Sequence, residues 1–339
     1  CKLINNSNLN IDNISLTDLK TFELLKNGQT IGVFQFDGKG MRETLCQIKP
    51  VRFEDLIAIV SLYRPGPMDN IPLFIKRKNN KEKIEYIHEN IKDILDETYG
   101  IMVYQEQVMQ IAQKLAGFSL AKADLLRRAM GKKIKSEMDA QRNNFIEGCL
   151  RNKISKEKAI VLFNEIEKFA GYGFNKSHAA AYALIAYQTA YLKTYHKEDF
   201  IAATMSTELT NTSKLREFVE ELKKLNIEII KPSINKSFSD FKAIDGKLFY
   251  GLGAIKNVGF EAISNIVKER EKNGKFKSFF DFINRANARD VNKLQLEGLV
   301  KAGVFDEFDD NRSKVLHSIP KVIQKIKNIN DDKENHQSN

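Results

Sequence analysis

The sequence predicts a mainly α-helical protein with a small α+β module late in the chain, and three observations carry that expectation. From Tyr104 to Phe174, apolar residues recur at helical spacing, with breaks only at Gly117–Ser119, Gly131 and Asn152–Ser155. The texture changes at Ile227, where short apolar runs flank Asp245 and Gly246, a pair suited to a two-residue type I′ turn. After Asn328 the chain is polar and poor in apolar residues. The expected domains are therefore 1–226, 227–327 and a disordered tail or linker over 328–339.

Residues 1–16 are Asn-rich and read as a ragged entry. Thr17–Lys26 follows as a short helix, Thr30–Phe36 as a strand, and Met41–Ile48 as a helix introduced by Gly38 and Gly40. Phe53–Leu62 has helical spacing and stops at the rigid turn Arg64, Pro65, Gly66, Pro67. The basic run Lys76–Lys83 reads as an exposed loop. Gln105, Glu106 and Gln107 precede an apolar face of Val108, Ile111, Ala112 and Leu115 and read as structural hydrogen-bonding residues. Ser119 suits an N-cap. A helix runs from His178 to about Tyr195, and its stripe of Tyr187, Tyr191 and Tyr195 reads as core.

Helices over Lys197–Leu209 and Thr212–Leu225 complete the first domain. In the second, Ile227–Ile230 reads as a strand and Phe241–Tyr250 as the hairpin. A glycine-punctuated string, Gly251–Val267, comes next. Helices are then expected over Phe279–Ala286, Val291–Ala302 and Asn311–Lys325, with Gly303 ending the second of these.

Hydrophobic residues make up 42% of the 339, enough for sizeable cores, and no apolar run approaches the roughly 18 residues of a membrane span. Cysteines at 1, 46 and 149 are too scattered for a disulfide framework or a metal knuckle, and they suit a reducing cytoplasm. A first residue other than Met suggests a truncated reading frame. The formal charge of +10 favours an anionic partner such as DNA but sets no sequence preference.

Two segments concentrate the candidate chemistry. Gly171–His178 opens directly onto a small-residue helix, and a helix N-terminus offers unsatisfied N–H groups and partial positive charge to an anion. Asn175, Lys176, Ser177 and His178 add donors there. In Leu125–Lys133, Arg128 and Lys132 share a helix face, flanked by Arg127 and Lys133, while Leu125, Leu126, Ala129 and Met130 supply the buried side. Guanidinium forks bind phosphate oxygens bidentately, and lysine acts as a mobile point charge. The same residues also fit a solvated helix end with an Asp124–Arg128 pair, and the residues alone leave both open.

Five strings resemble one family in order: Ile31–Phe36, Leu62–Pro67, Tyr99–Gln107, Leu125–Lys133 and Phe169–His178. The chain is similar, from about residue 17 to about residue 317, to the C-family replicative polymerases, the alpha subunits of bacterial DNA polymerase III. The resemblance implies a multi-helix fingers domain followed by a helix-hairpin-helix module. It implies DNA-directed DNA synthesis by the whole polymerase, with deoxynucleoside triphosphates, primer-template DNA and other holoenzyme subunits as partners. Arg64, Arg127, Arg128, Lys132 and Lys133 would meet phosphate, and Tyr172, Asn175, Lys176, Ser177 and His178 the nascent base pair. Gly251, Gly253, Lys256, Asn257 and Gly259 would meet the DNA backbone, although Asn257 stands where the family usually has glycine.

The family's catalytic aspartates, which hold Mg2+ in the palm domain, precede the string that begins this chain. No catalytic or metal-ligating residue is therefore expected here, and the chain alone is expected to be inactive. The acidic run Asp306–Asp310 reads as a solvated loop before a helix. A reading from another class is a helix-hairpin-helix DNA-binding protein of repair or recombination, which leaves Arg127–Lys133 and Gly171–His178 without a role.

Overall fold

A computed structural model describes residues 9–132, 135–286 and 291–337. Its contacts divide the chain into a unit spanning Asn10–Thr194 and a second unit from Tyr195 onward.

The first unit is helical, with two apolar cores. Around one core lie α1 (Leu19–Lys26), α2 (Lys39–Ile48), α3 (Phe53–Leu62), α4 (Ile71–Lys78) and the long α10 (Lys176–Tyr195). Ala179, Ala183, Ala186 and Ala190 of α10 are buried there; their small side chains let neighbouring backbones come close. Of the tyrosine stripe read as core, Tyr191 is half-buried and Tyr195 exposed, because the helix turns its last residues away from the core. Tyr187 is buried, its hydroxyl donating to Ser15 O (2.7 Å) and accepting from Asp18 N (3.0 Å). Residues 10–16, read as part of a ragged entry, are thus tied to α10; residues 1–8 lie outside the described residues.

Two further expectations are corrected in this region. Thr30–Phe36 forms no strand but two consecutive turns, Val33 N to Thr30 O (2.9 Å) and Phe36 N to Val33 O (3.1 Å). Positive φ at Gly32 and Gln35 breaks the extended path, which buries Val33 and Phe36 and leaves Phe34 outward. The basic run from Lys76 is helix as far as Lys78, whose Nζ lies 3.1 Å from the fully buried Asp55. A buried carboxylate needs partners, and Asp55 also accepts from Val51 N and the Tyr99 hydroxyl.

The other core belongs to α6 (Gln105–Ala116), α7 (Leu120–Lys132), α8 (Lys135–Arg151) and α9 (Lys156–Phe169), with the single turn α5 (Lys92–Leu95) beside them. The breaks at 117–119 and 152–155 fall where the sequence places them, whereas α7 runs through Gly131 to Lys132. Ser119 caps α7 by accepting from Lys122 N (3.2 Å), and Gly148 of α8 rides on the Ala116 carbonyl, where a Cβ would overlap it. The short connections 117–119 and 152–155 set α6 against α7 and α8 against α9 in opposite directions.

The second unit opens with α11 (Lys197–Thr207) and α12 (Thr212–Lys224). The expected boundary at 226 falls inside this unit, because α11 packs on the sheet and Ser206 Oγ accepts from Phe241 N (3.0 Å). The sheet order is β1 (Ile229–Ile230), β3 (Lys247–Phe249), β2 (Lys242–Ile244). Strand β3 pairs parallel with β1 and antiparallel with β2; Asp245 and Gly246 both have positive φ, as a type I′ turn requires. Beyond them α13 (Phe260–Asn273), α14 (Phe279–Arg285), α15 (Lys293–Lys301) and α16 (Arg312–Gln337) surround a third core. The last helix continues to Gln337, through most of the segment expected as a tail.

Candidate nucleic-acid interface

The loop before α10 is held by an isolated bridge. Phe174 N donates to Val103 O (3.2 Å) and Gln105 N to Phe174 O (2.9 Å). Gln105 Nε2 adds a bond to Gly173 O (3.1 Å), and buried Gln107 serves Val103 N, Tyr104 N and Thr98. These two glutamines are structural, as their sequence context suggests.

Glu106 does more. Its carboxylate accepts from Lys176 N (3.0 Å) and Asn175 Nδ2 (2.9 Å), while Asn175 Oδ1 accepts from His178 N (2.8 Å). The helix end that the sequence offers to a phosphate is therefore already closed by a carboxylate of the protein, the group the helix dipole favours there. Lys176 is also engaged, 2.6 Å from Glu97 and above the Tyr104 ring.

Outward from this cap runs an aromatic strip. The His178 ring lies 5.5 Å from Phe174 and 4.6 Å from Tyr182, and Tyr182 lies 5.6 Å from Phe34. Arg64 extends the strip: its guanidinium sits 4.2 Å over the Phe174 ring and donates to Tyr172 O (2.9 Å). Burial pulls the Arg64 pKa below its ordinary value. Tyr172 is half exposed, its ring against Gly66, where φ of +96° and the ring itself exclude a side chain. Ser177 and His178 are exposed, so His178 is not a core histidine. The structure thus brings together Arg64 and Tyr172–His178. It adds Phe34, Phe174 and Tyr182, which sequence reasoning did not select. The spacing 174, 178, 182 was the available signal, whereas nothing local marks Phe34.

On α7, Arg127 and Arg128 both reach Asp124, at 2.8 and 2.7 Å. These bonds, that of Arg127 foremost, hold the Asp124 carboxyl below the usual range. Leu126, Ala129 and Met130 are buried as expected, but Leu125 is 54% exposed and lies on the solvent side with Arg128. Lys132 is the last residue of α7, and Lys133 lies outside the described residues.

The helix directions decide where α7 ends. Asn152 Nδ2, just past α8, bonds Leu115 O near the end of α6 (2.8 Å), and Arg142 of α8 bonds Asn164 of α9 (2.6 Å). The short 117–119 connection sends α7 back along α6, and Gly173, just past α9, packs on Gln105, so the start of α6 and the ends of α7 and α9 share one end of the bundle. That is the end at which Gln105 and Glu106 hold the Phe174–Lys176 loop.

In the second unit, the string from Gly251 holds a single 3₁₀ turn (Leu252–Ala254), a tight turn and then α13, so the expected first helix is only one turn long. Gly251 is corrected as a DNA contact: it is buried, and a Cβ would meet Phe241 N at 2.7 Å. Gly253 likewise packs on Ser239 O. Lys256, Asn257 and Gly259 are exposed, and Asn257 adopts the left-handed conformation (φ 68°) that its position demands. Gly298 of α15 supports this turn from beneath, against Lys256 O.

Among the described residues no group of three or more His, Cys, Asp or Glu side chains fits a metal ion. In the acidic run, Asp306 pairs with Arg312 and Asp309 with Lys314, while Asn311 caps α16. No helix among them is long and apolar enough to cross a membrane.

Comparison with known proteins identifies relatives of the chain. Residues 1–153 match the bacterial DNA polymerase III alpha subunit finger domain, and residues 226–315 match a helix-hairpin-helix motif. DNA polymerase III subunit alpha of Borreliella burgdorferi is 47% identical over 321 residues, covering 95% of this chain and 28% of that protein. The Caulobacter vibrioides protein of the same name is 46% identical (96% and 28%), and that of Thermus aquaticus 48% identical (93% and 26%). The chain thus spans little more than a quarter of the length of these relatives. It belongs to the bacterial DNA polymerase III alpha-subunit family, of which it carries the finger domain and a helix-hairpin-helix motif.

Proposed function

We propose that the chain receives the incoming deoxynucleoside triphosphate and grips primer-template DNA within a replicative polymerase. The observation that carries this is the half-buried strip Arg64–Phe174–His178–Tyr182, exposed at His178 and beside the bundle end to which α7 brings its arginines. Rings with open faces accept a base pair by stacking, whatever its sequence. Arg127 and Arg128, with Lys132 and Lys133 following, would take the triphosphate. Asp124 is a partly exposed partner that a phosphate can displace, since ion pairs at the surface contribute little.

Positioning and charge stabilisation are the protein's main contributions to phosphoryl transfer. Mg2+ held by carboxylates outside this sequence would supply charge neutralisation. Lys256, Asn257 and Gly259 would hold a DNA phosphate, a contact that positions without specifying. Other holoenzyme subunits and a cytoplasmic setting complete the proposal.

The test is single-nucleotide incorporation by a complete polymerase carrying this segment. Arg128→Ala should lower nucleotide affinity or turnover at least tenfold, about 1.4 kcal/mol. Photo-crosslinked nucleotide should map to α7 and the 172–178 loop. Unchanged kinetics with labelling elsewhere would refute the assignment.

A further inference from the structure

The loop that leads into α10 is held from two sides. From α6, Gln105 N donates to Phe174 O (2.9 Å) and Gln105 Nε2 to Gly173 O (3.1 Å). From the turn after α3, Arg64 Nη2 donates to Tyr172 O (2.9 Å), while its Nε donates to Ser61 O (2.9 Å) near the end of that helix. One planar fork thus joins two backbones, and its flat face covers the Phe174 ring at 4.2 Å. The contact is reciprocal. The Tyr172 ring lies on Gly66, just beyond Arg64, and takes the space that a Cβ would occupy there.

The family resemblance gives Arg64 a phosphate, yet the side chain is half-buried and these two donors serve protein carbonyls. A lysine here would supply the charge but neither the fork nor the stacked face.

We infer that Arg64 is a positioning residue for base selection, which fixes Tyr172–Phe174 as a wall beside the nascent pair and does not hold the triphosphate. This role rests on the proposed function, in which that loop meets the base pair. Selection by shape needs a wall that does not give way, because a mismatch gains whatever space the wall yields. The triphosphate is common to correct and incorrect nucleotides, so a group that binds it serves both alike. The two roles therefore part in the ratio of correct to incorrect incorporation.

The test uses a complete polymerase carrying this segment, as the parent and as Arg64→Ala, Arg64→Lys, Arg128→Ala and His178→Ala. Single-nucleotide kcat/KM is measured for a matched and a mismatched nucleotide, and hydrogen exchange mass spectrometry follows the peptide covering residues 169–178. Arg64→Ala should speed exchange there at least tenfold and lower discrimination at least tenfold, about 1.4 kcal/mol. Arg64→Lys should do nearly the same, since it keeps the charge and loses the fork. It also decides the matter if Arg64→Ala fails to fold. Arg128→Ala should slow both nucleotides alike and leave their ratio within about twofold of the parent. Parent-like exchange or discrimination in the Arg64 variants, full rescue by Arg64→Lys, or an equal fall of the ratio in Arg128→Ala overturns the inference. His178→Ala separates this failure from that of the proposed function. Incorporation at the parent rate in that variant would show that the loop does not meet the base pair, and both readings then fall. Slowed incorporation there, with discrimination unchanged in the Arg64 variants, removes only the role given to Arg64.

Discussion

Glu106 joins two helix starts, and its replacement by alanine should loosen the cap of α10. The substitution removes the acceptors of Lys176 N and Asn175 Nδ2, at 3.0 and 2.9 Å. Loss of a helix N-cap costs about 1 kcal/mol, and loss of a negative charge at the helix N-terminus a further 0.3–1 kcal/mol or so. The site is half-buried, so water compensates only in part, and the sum is about 2 kcal/mol. For a unit of this size that lowers the melting temperature by about 4–8 °C. Circular dichroism melts would read the shift, and hydrogen exchange at Lys176 would locate it. Glu106→Gln keeps an amide oxygen as acceptor but not the charge, and should lose about half as much. A melting temperature within about 1 °C of the parent, with the Lys176 amide still protected, would show that Glu106 does not hold this helix.

Two further outcomes follow from burial and charge. His178 is exposed on the strip, so His178→Ala should leave the melting temperature nearly untouched while slowing incorporation about tenfold in a complete polymerase; a large thermal loss with normal incorporation would make it structural. Tyr99 is pushed up from 10.0 to about 12, first by burial and then by the Asp55 carboxylate. Above pH 10 the unfolded chain releases this proton and the folded chain keeps it, so its stabilisation is lost as pH rises from about 10 through 12. Urea titrations near pH 9 and near pH 11 should show a steeper decline for the parent than for Tyr99→Phe, the other tyrosines cancelling. Equal declines would remove Tyr99 from the account.

Local sequence determined the helices, because their signals lie within a few residues. Ser119 and Ser155 cap α7 and α9, Gly303 ends α15, and Asp245 with Gly246 turns the hairpin. Resemblance over five strings was enough to expect the family. Only the tertiary structure decided what the candidate residues touch. Glu106 is about seventy positions from the helix it caps, and Asp55 is more than twenty from the Lys78 it neutralises. Gly251 suits a phosphate by its type, yet the backbone of strand-flanking Asp240 and Phe241 fills the space beside it. Propensity acts through the chain's own neighbours, whereas partners for charges and small residues are chosen by packing. That choice depends on which distant segments the cores draw together.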